Sequence, residues 1–171
     1  MIMFRNWLDR ILRVLCVALF AALVLLVVYQ VFTRLVLDEP SAWSEEAARY
    51  TFVWVSLIGI SIAVGEKADV VMDFLVEKMP VRLQRVTDVL AYLFMLAFVS
   101  YVMTYGGLLQ TAASWSATNP LLPFSQGQLY LVVPISGIII SFYLLLHIAH
   151  ALSPAYKGRE GFEEDLKAAT A

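Results

Sequence analysis

The stretch "WSEEAARYTFVW", residues 43–54, decides how this chain is read. Glu45, Glu46 and Arg49 stand at the head of a run, Tyr50 to Gly65, that carries no charge. As a helix that run is about 24 Å long at about 1.5 Å per residue, short of a hydrocarbon core about 30 Å thick. It crosses a bilayer only if the helix continues back into the charged stretch and leaves those charges at the interface. The local chemistry allows this. Ser41 or Ser44 is placed to cap the helix, and acids in its first turns complement the positive end of the helix dipole. Glu45 and Arg49 are four apart with the acid leading, the favourable order for a pair on one face. Trp43, Tyr50, Phe52 and Trp54 supply interfacial aromatics. The stretch therefore reads either as the capped, wet end of a membrane helix or as a grip on a partner.

Three further runs, Val14 to Thr33, Val89 to Ser114 and Leu129 to Leu152, meet the length a spanning helix needs. Hydrophobic residues make up 61% of the chain and charged ones 15%, with mean hydropathy +0.77. A soluble domain of this size has no interior large enough for that much apolar surface, so lipid is its solvent. The fold class is all-α integral membrane. Transmembrane helices are expected at about 11–33, 44–65, 84–113 and 128–152, in a membrane domain over 1–155 followed by a polar tail over 156–171. Arg5, Arg10 and Arg13 precede the first run as in a signal peptide, but the run is too long for one and lacks a small-residue cleavage site. It reads as a retained anchor. The single Cys16 excludes a disulfide framework within the chain.

Charge placement sets the expected topology. Of 12 cationic residues, ten fall in the N-terminal segment, the middle loop and the C-terminal tail; only Arg34 and Arg49 lie in the first loop, and none in the third. The positive-inside rule then puts both termini and the middle loop in the cytoplasm. Within that loop, "DVVMDFLVEKMP" (69–80) repeats an acid every four residues at Asp69, Asp73 and Glu77, with apolar residues between. This spacing predicts an amphipathic interfacial helix at about 68–79, ended by Pro80. Its acidic polar face favours contact with protein over anionic lipid. Gly106-Gly107 is expected to loosen the third helix near its outer end. The third loop, "ASWSATNPLLPFSQGQ" (113–128), is uncharged and turns at Pro120, Pro123 and Gly127. Pro134 is expected to kink the fourth helix.

No nucleophile motif, phosphate loop, metal cluster or paired carboxylates appears, so the chain reads as a non-enzyme without a cofactor or a nucleic-acid partner. His147 and His150 are three apart on the fourth helix, at the end where amphipathic side chains rest, with no third histidine to ligate from another helix. Intramembrane ionisable residues mark substrate and ion paths, and the centres of the four spans lack Asp, Glu, Lys and Arg. No repeat is visible. Such a chain reads as a subunit that shapes or supports another.

The residues also carry a family resemblance. "WSEEAARYTFVWVSLIGISIAVGEKADVVMDFL" (43–75) and "LPFSQGQLYLVVPISG" (122–137) resemble the patterns of the small membrane subunit, the DctQ- or SiaQ-type component, of tripartite ATP-independent periplasmic (TRAP) transporters. The likeness runs from the basic start to the fourth helix. It departs at Lys67-Ala68-Asp69, where many members carry a basic residue and a histidine.

The resemblance implies a three-part importer of organic acids, such as sialic acid or a C4-dicarboxylate, in the bacterial inner membrane. A periplasmic substrate-binding protein (P type) would deliver the acid. A large membrane subunit (M type) would carry it with sodium, and the small subunit would pack against that subunit's scaffold. The expected partner-facing residues are Trp43, Glu45, Glu46, Arg49, Trp54, Asp69 and Asp73. The alternative is a free-standing four-helix membrane protein, such as a haem- or quinone-associated electron-carrier subunit.

Overall fold

The computed structural model describes residues 2–66 and 80–153. The helix expected at 68–79, with Asp69 and Asp73, lies outside the described residues, as does the tail. Four helices are long and apolar enough to cross a membrane: α1 (Ile2–Val36), α2 (Ala42–Gly65), α3 (Val81–Ala113) and α4 (Gln126–Leu152). Among the described residues the only extended pairing is an isolated bridge between Thr118 and Ser125. The chain is an all-α integral membrane protein.

The short second run is resolved by its flank. Helix α2 begins at Ala42, so its 24 residues reach about 36 Å and take Glu45, Glu46 and Arg49 into the first two turns. Helices α1 and α3 are longer still, at 35 and 33 residues, and overhang the hydrocarbon. The turn from α1 to α2 is closed by Asp38 in the left-handed region (φ 53°) and by Glu39 N–H on Thr33 O at 3.2 Å. Aspartate is among the few residues that take this conformation readily.

Spatial order differs from chain order. Helix α1 packs mainly on α2, α2 also on α4, and α4 also on α3, so the helices run α1–α2–α4–α3 across the molecule. Helix α4 is central, and Val132, Ile140, Tyr143 and Leu144 on it anchor the core. Helices α1 and α3 are outermost and turn large apolar side chains such as Val17, Leu25 and Phe94 outward. Lipid tails are as apolar as these side chains, so helix association rests on close fit. That fit is visible between α3 and α4: a Cβ on Gly137 would lie 2.7 Å from Thr104 Oγ1 and 3.0 Å from Thr104 N.

Helix α3 departs from α-helical winding over the stretch that ends at Gly106-Gly107. Its middle, Val99–Gly106, is wound as a π-helix, and Gly107–Ala113 continues as α-helix. In α4 the ladder is interrupted at Leu131, between Gln126–Tyr130 and Val132–Leu152. Pro134 lies three residues on and offers Tyr130 O no donor. The helix starts with a reciprocal cap in which Ser125 Oγ accepts from Gln128 N–H and Gln128 Oε1 accepts from Ser125 N–H. Gly127 is required there, because a Cβ would sit 2.7 Å from Thr111 O and from Trp115 Cα.

Candidate functional site

Polar chemistry collects at the two ends of the helices. At the first end, the α1–α2 turn meets the α3–α4 loop. Ser41 holds the N-cap position of α2, but its hydroxyl makes no capping bond, and Ser44 Oγ instead donates to Ser41 O at 2.8 Å. The pairing expected between Glu45 and Arg49 is also corrected. Arg49 Nη1 lies 3.2 Å from Glu46 Oε2, three residues back, while Glu45 is exposed. Glu46 is turned inward by a second partner: Asn119 Nδ2 donates to its Oε1 at 3.3 Å. Asn119 is itself buried, and its Oδ1 accepts from Leu121 N–H at 2.9 Å and Leu122 N–H at 3.2 Å. One carboxylate thus ties the head of α2 to the turn after α3, which is why the Glu46 side chain is 18% exposed and that of Arg49 71%.

The tryptophans divide in the same way. Trp54 Nε1 donates to Leu129 O at 3.0 Å, joining α2 to α4, and Tyr50 meets Tyr130 edge-on with centroids 6.3 Å apart. Trp43 remains exposed, against Tyr29 at 5.6 Å. Of the residues expected to face a partner, Glu46 and Trp54 bind within the chain. Trp43, Glu45 and Arg49 are outward, and Asp69 and Asp73 lie outside the described residues.

The opposite end was not anticipated as a site. Tyr143, in the core of α4, donates its hydroxyl to Asp9 of α1. Arg5 Nε lies 3.7 Å from Asp9 Oδ2, and its Nη2 donates to Gly65 O at 3.3 Å. Arg13 Nη2 pairs with Glu66 Oε1 at 2.8 Å. The first turns of α1 are therefore latched across the end of α2 and onto α4. Gly65 makes room, since a Cβ would meet the Tyr143 ring at 3.1 Å. His147 is buried with Nε2 2.8 Å from Val64 O; a carbonyl only accepts, so this nitrogen donates. Its ring also meets Tyr92 at 5.7 Å. Gln84 and Asp88 are buried on α3, Asp88 to 2% exposure, and Arg85 Nη2 donates to Ser153 O at 3.3 Å. A sequence signal existed for part of this: Asp9 is the lone acid among Arg5, Arg10 and Arg13, and Tyr143 is a polar tip inside an aliphatic run.

A pocket of about 220 Å³ opens between α3 and α4, lined by Val102, Gly106, Gly107, Gln110, Tyr130 and Val133. It offers no cation to an organic anion. Among the described residues no three His, Cys, Asp or Glu side chains gather as a metal site.

The comparisons with known proteins point to a transporter membrane subunit. The family model for the DctQ component of tripartite ATP-independent periplasmic transporters matches residues 23–153. A TRAP transporter small permease protein of Haemophilus influenzae is 25% identical over 153 residues, covering 90% of this chain and 94% of its own length. Two longer relatives contain a comparable segment. The sialic acid TRAP transporter permease protein SiaT of Haemophilus influenzae is 29% identical over 72% of this chain and 20% of its own length. The isethionate TRAP transporter permease protein DctMQ of Oleidesulfovibrio alaskensis is 26% identical over 84% of this chain and 24% of its own. These relatives are transporter permease proteins and not enzymes. This chain belongs to the DctQ family, the small permease subunits of TRAP transporters.

Proposed function

We propose that the chain is the scaffold subunit of a sodium-driven importer of organic acids in the bacterial inner membrane. A periplasmic binding protein delivers the acid, and a large membrane subunit carries it together with sodium. The small subunit holds that large subunit and contacts neither acid nor sodium. Both termini and residues 66–88 face the cytoplasm, in line with ten of the chain's 12 cationic residues lying in the tails and middle loop. The end built from Glu46, Arg49 and Asn119 then faces the periplasm.

The observation that carries this reading is where the charges are used. Asp9, Arg5, Arg13, Glu66, Glu46 and Arg49 pair within the chain at its two ends, and the middles of the helices hold no Asp, Glu, Lys or Arg. Charge spent on joining helices at the membrane surface suits a rigid support. The two longer relatives add to this. Their names specify different cargo, sialic acid and isethionate, yet their similarity to this chain is nearly the same. A segment common to carriers of different cargo is suited to holding and not to selecting. Trp43, Glu45 and Arg49 contribute to the contact with the large subunit at the periplasmic end and Asp69 and Asp73 on the cytoplasmic side, while Pro134 bends α4 within the helix packing. Family membership takes the place of the electron-carrier alternative. The test is co-purification: tagged small subunit should retain the large subunit in mild detergent, with no visible haem or quinone spectrum. Recovery of the small subunit alone would refute the reading.

A further inference from the structure

The two outermost helices differ in a way that lipid alone does not explain. On α1, every exposed side chain from Val14 to Val28 is Ala, Val, Leu or Phe, a face that acyl chains cover at no polar cost. On α3, the outward face carries Tyr101 at 72% exposure and Tyr105 at 56%, their rings stacked with centroids 6.0 Å apart and 22° between planes. Phe94, more exposed still, lies below them. Beside the stack, Ser100 Oγ on α3 and Ser141 Oγ on α4 share one bond at 3.5 Å.

The depth of these hydroxyls is the point. Tyr101 stands at the centre of the uncharged run Val89 to Ser114 and four residues past Ala97, the midpoint of α3, hence about 6 Å from the helix centre. Helical side chains lean toward the N-terminus, so Tyr101 leans back toward the bilayer centre and away from the nearer interface. Tyrosines in membrane proteins ordinarily sit at the headgroups, where the ring is dry and the hydroxyl wet. A hydroxyl at mid-bilayer finds neither water nor acceptor in lipid, and hydrocarbon penalises it. The two rings are four residues apart on one face, within the π-helical stretch Val99–Gly106, and such winding in a helix often accompanies a functional surface.

We propose that this face of α3, centred on the stacked Tyr101 and Tyr105, seats a membrane helix of the large permease subunit that presents hydroxyl, amide or carbonyl groups near mid-bilayer, while the α1 face is left to lipid. The proposal rests on the scaffold reading above and adds to it the surface and its chemistry. Polar complementarity identifies the occupant, because lipid satisfies the α1 face and cannot satisfy this one.

The experiment uses the complex of full-length small and large subunits, with p-benzoylphenylalanine in place of Tyr101 or, as a control, of Val17. Illumination should join the large subunit to position 101 and not to position 17. In parallel, the double variant Tyr101→Phe/Tyr105→Phe keeps both rings and removes both hydroxyls. It should weaken association by about 3-fold to 20-fold, the span of interhelical hydrogen bonds in bilayers. Crosslinking from position 17 alone, crosslinking of position 101 only to a second small subunit, or undiminished association of the double variant would each overturn the proposal and leave the scaffold reading standing. Failure of the unsubstituted subunits to co-purify would remove that reading, and the proposal with it.

Discussion

Asn119→Ala is the substitution whose consequences the structure specifies most fully. Asn119 Oδ1 accepts two backbone N–H groups, at 2.9 and 3.2 Å, and Nδ2 donates to Glu46 at 3.3 Å. Alanine removes all three bonds. Each neutral bond to a part-buried backbone donor is worth about 1 kcal/mol, and the bond to the carboxylate, long and shared with Arg49, adds about 1 kcal/mol. Leu121 is partly exposed, so water recovers some of this, and the expected loss is about 2 kcal/mol. Asn119→Asp separates the terms. It keeps an acceptor for Leu121 and Leu122 but replaces the donor facing Glu46 with a second carboxylate, which Arg49 partly screens; the expected loss is about 1 kcal/mol. Reversible unfolding in mixed micelles measures both, and hydrogen exchange at Leu121 and Leu122 reports the turn directly. Exchange should accelerate in the alanine variant and stay near the unsubstituted rate in the aspartate variant. Equal losses in the two variants, or unchanged exchange in the alanine variant, would refute the assignment of Asn119 as the pin of this turn.

Other consequences are as specific. Tyr143→Phe leaves Asp9 without its donor from α4, so residues 5–13 should exchange amide hydrogens faster, with stability lower by about 1–2 kcal/mol; unchanged exchange would mean that the latch is not holding α1. Gly127→Ala forces a methyl against Thr111 O and Trp115 Cα and should destabilise the chain by about 1–3 kcal/mol through backbone displacement, read in the same unfolding assay. Ser116→Cys, in the exposed loop after α3, should react with an impermeant thiol reagent from the periplasmic side only; labelling from the cytoplasm would invert the topology.

Much of the fold is legible in the sequence because membrane insertion is decided locally. A run such as Val14 to Thr33 declares itself by length and hydropathy, whatever it packs against. Even the short run after Arg49 is readable, since the acids and aromatics ahead of it show where its missing length lies. The order α1–α2–α4–α3 is not readable in the same way. Each helix is apolar around most of its circumference, and the close contacts turn on single small residues such as Gly137 against Thr104. The site divides along the same line. That Glu46 and Arg49 sit at a helix head follows from neighbours in the chain. That Glu46, not Glu45, takes Arg49 depends on Asn119, 73 residues away. The latch from Tyr143 to Asp9 spans 134 residues, and His147 is held by the backbone carbonyl of Val64, a partner any residue type would offer. Such pairings leave no periodicity or spacing in the sequence.

The central claim is that this chain supports transport without choosing what is transported. The measurement that bears on it most directly is sodium-driven uptake in vesicles containing both membrane subunits and the binding protein, with several organic acids offered in competition. Arg49→Ala and Glu46→Ala are the informative variants. Arg49 is largely exposed, where an ion pair contributes about 0–1 kcal/mol to the isolated chain. Buried against a partner, loss of one member of the pair costs about 3–5 kcal/mol. The account predicts that both variants lower the rate of uptake and the recovery of the assembled complex, with the order of preference among the acids unchanged. A changed order of preference would contradict it.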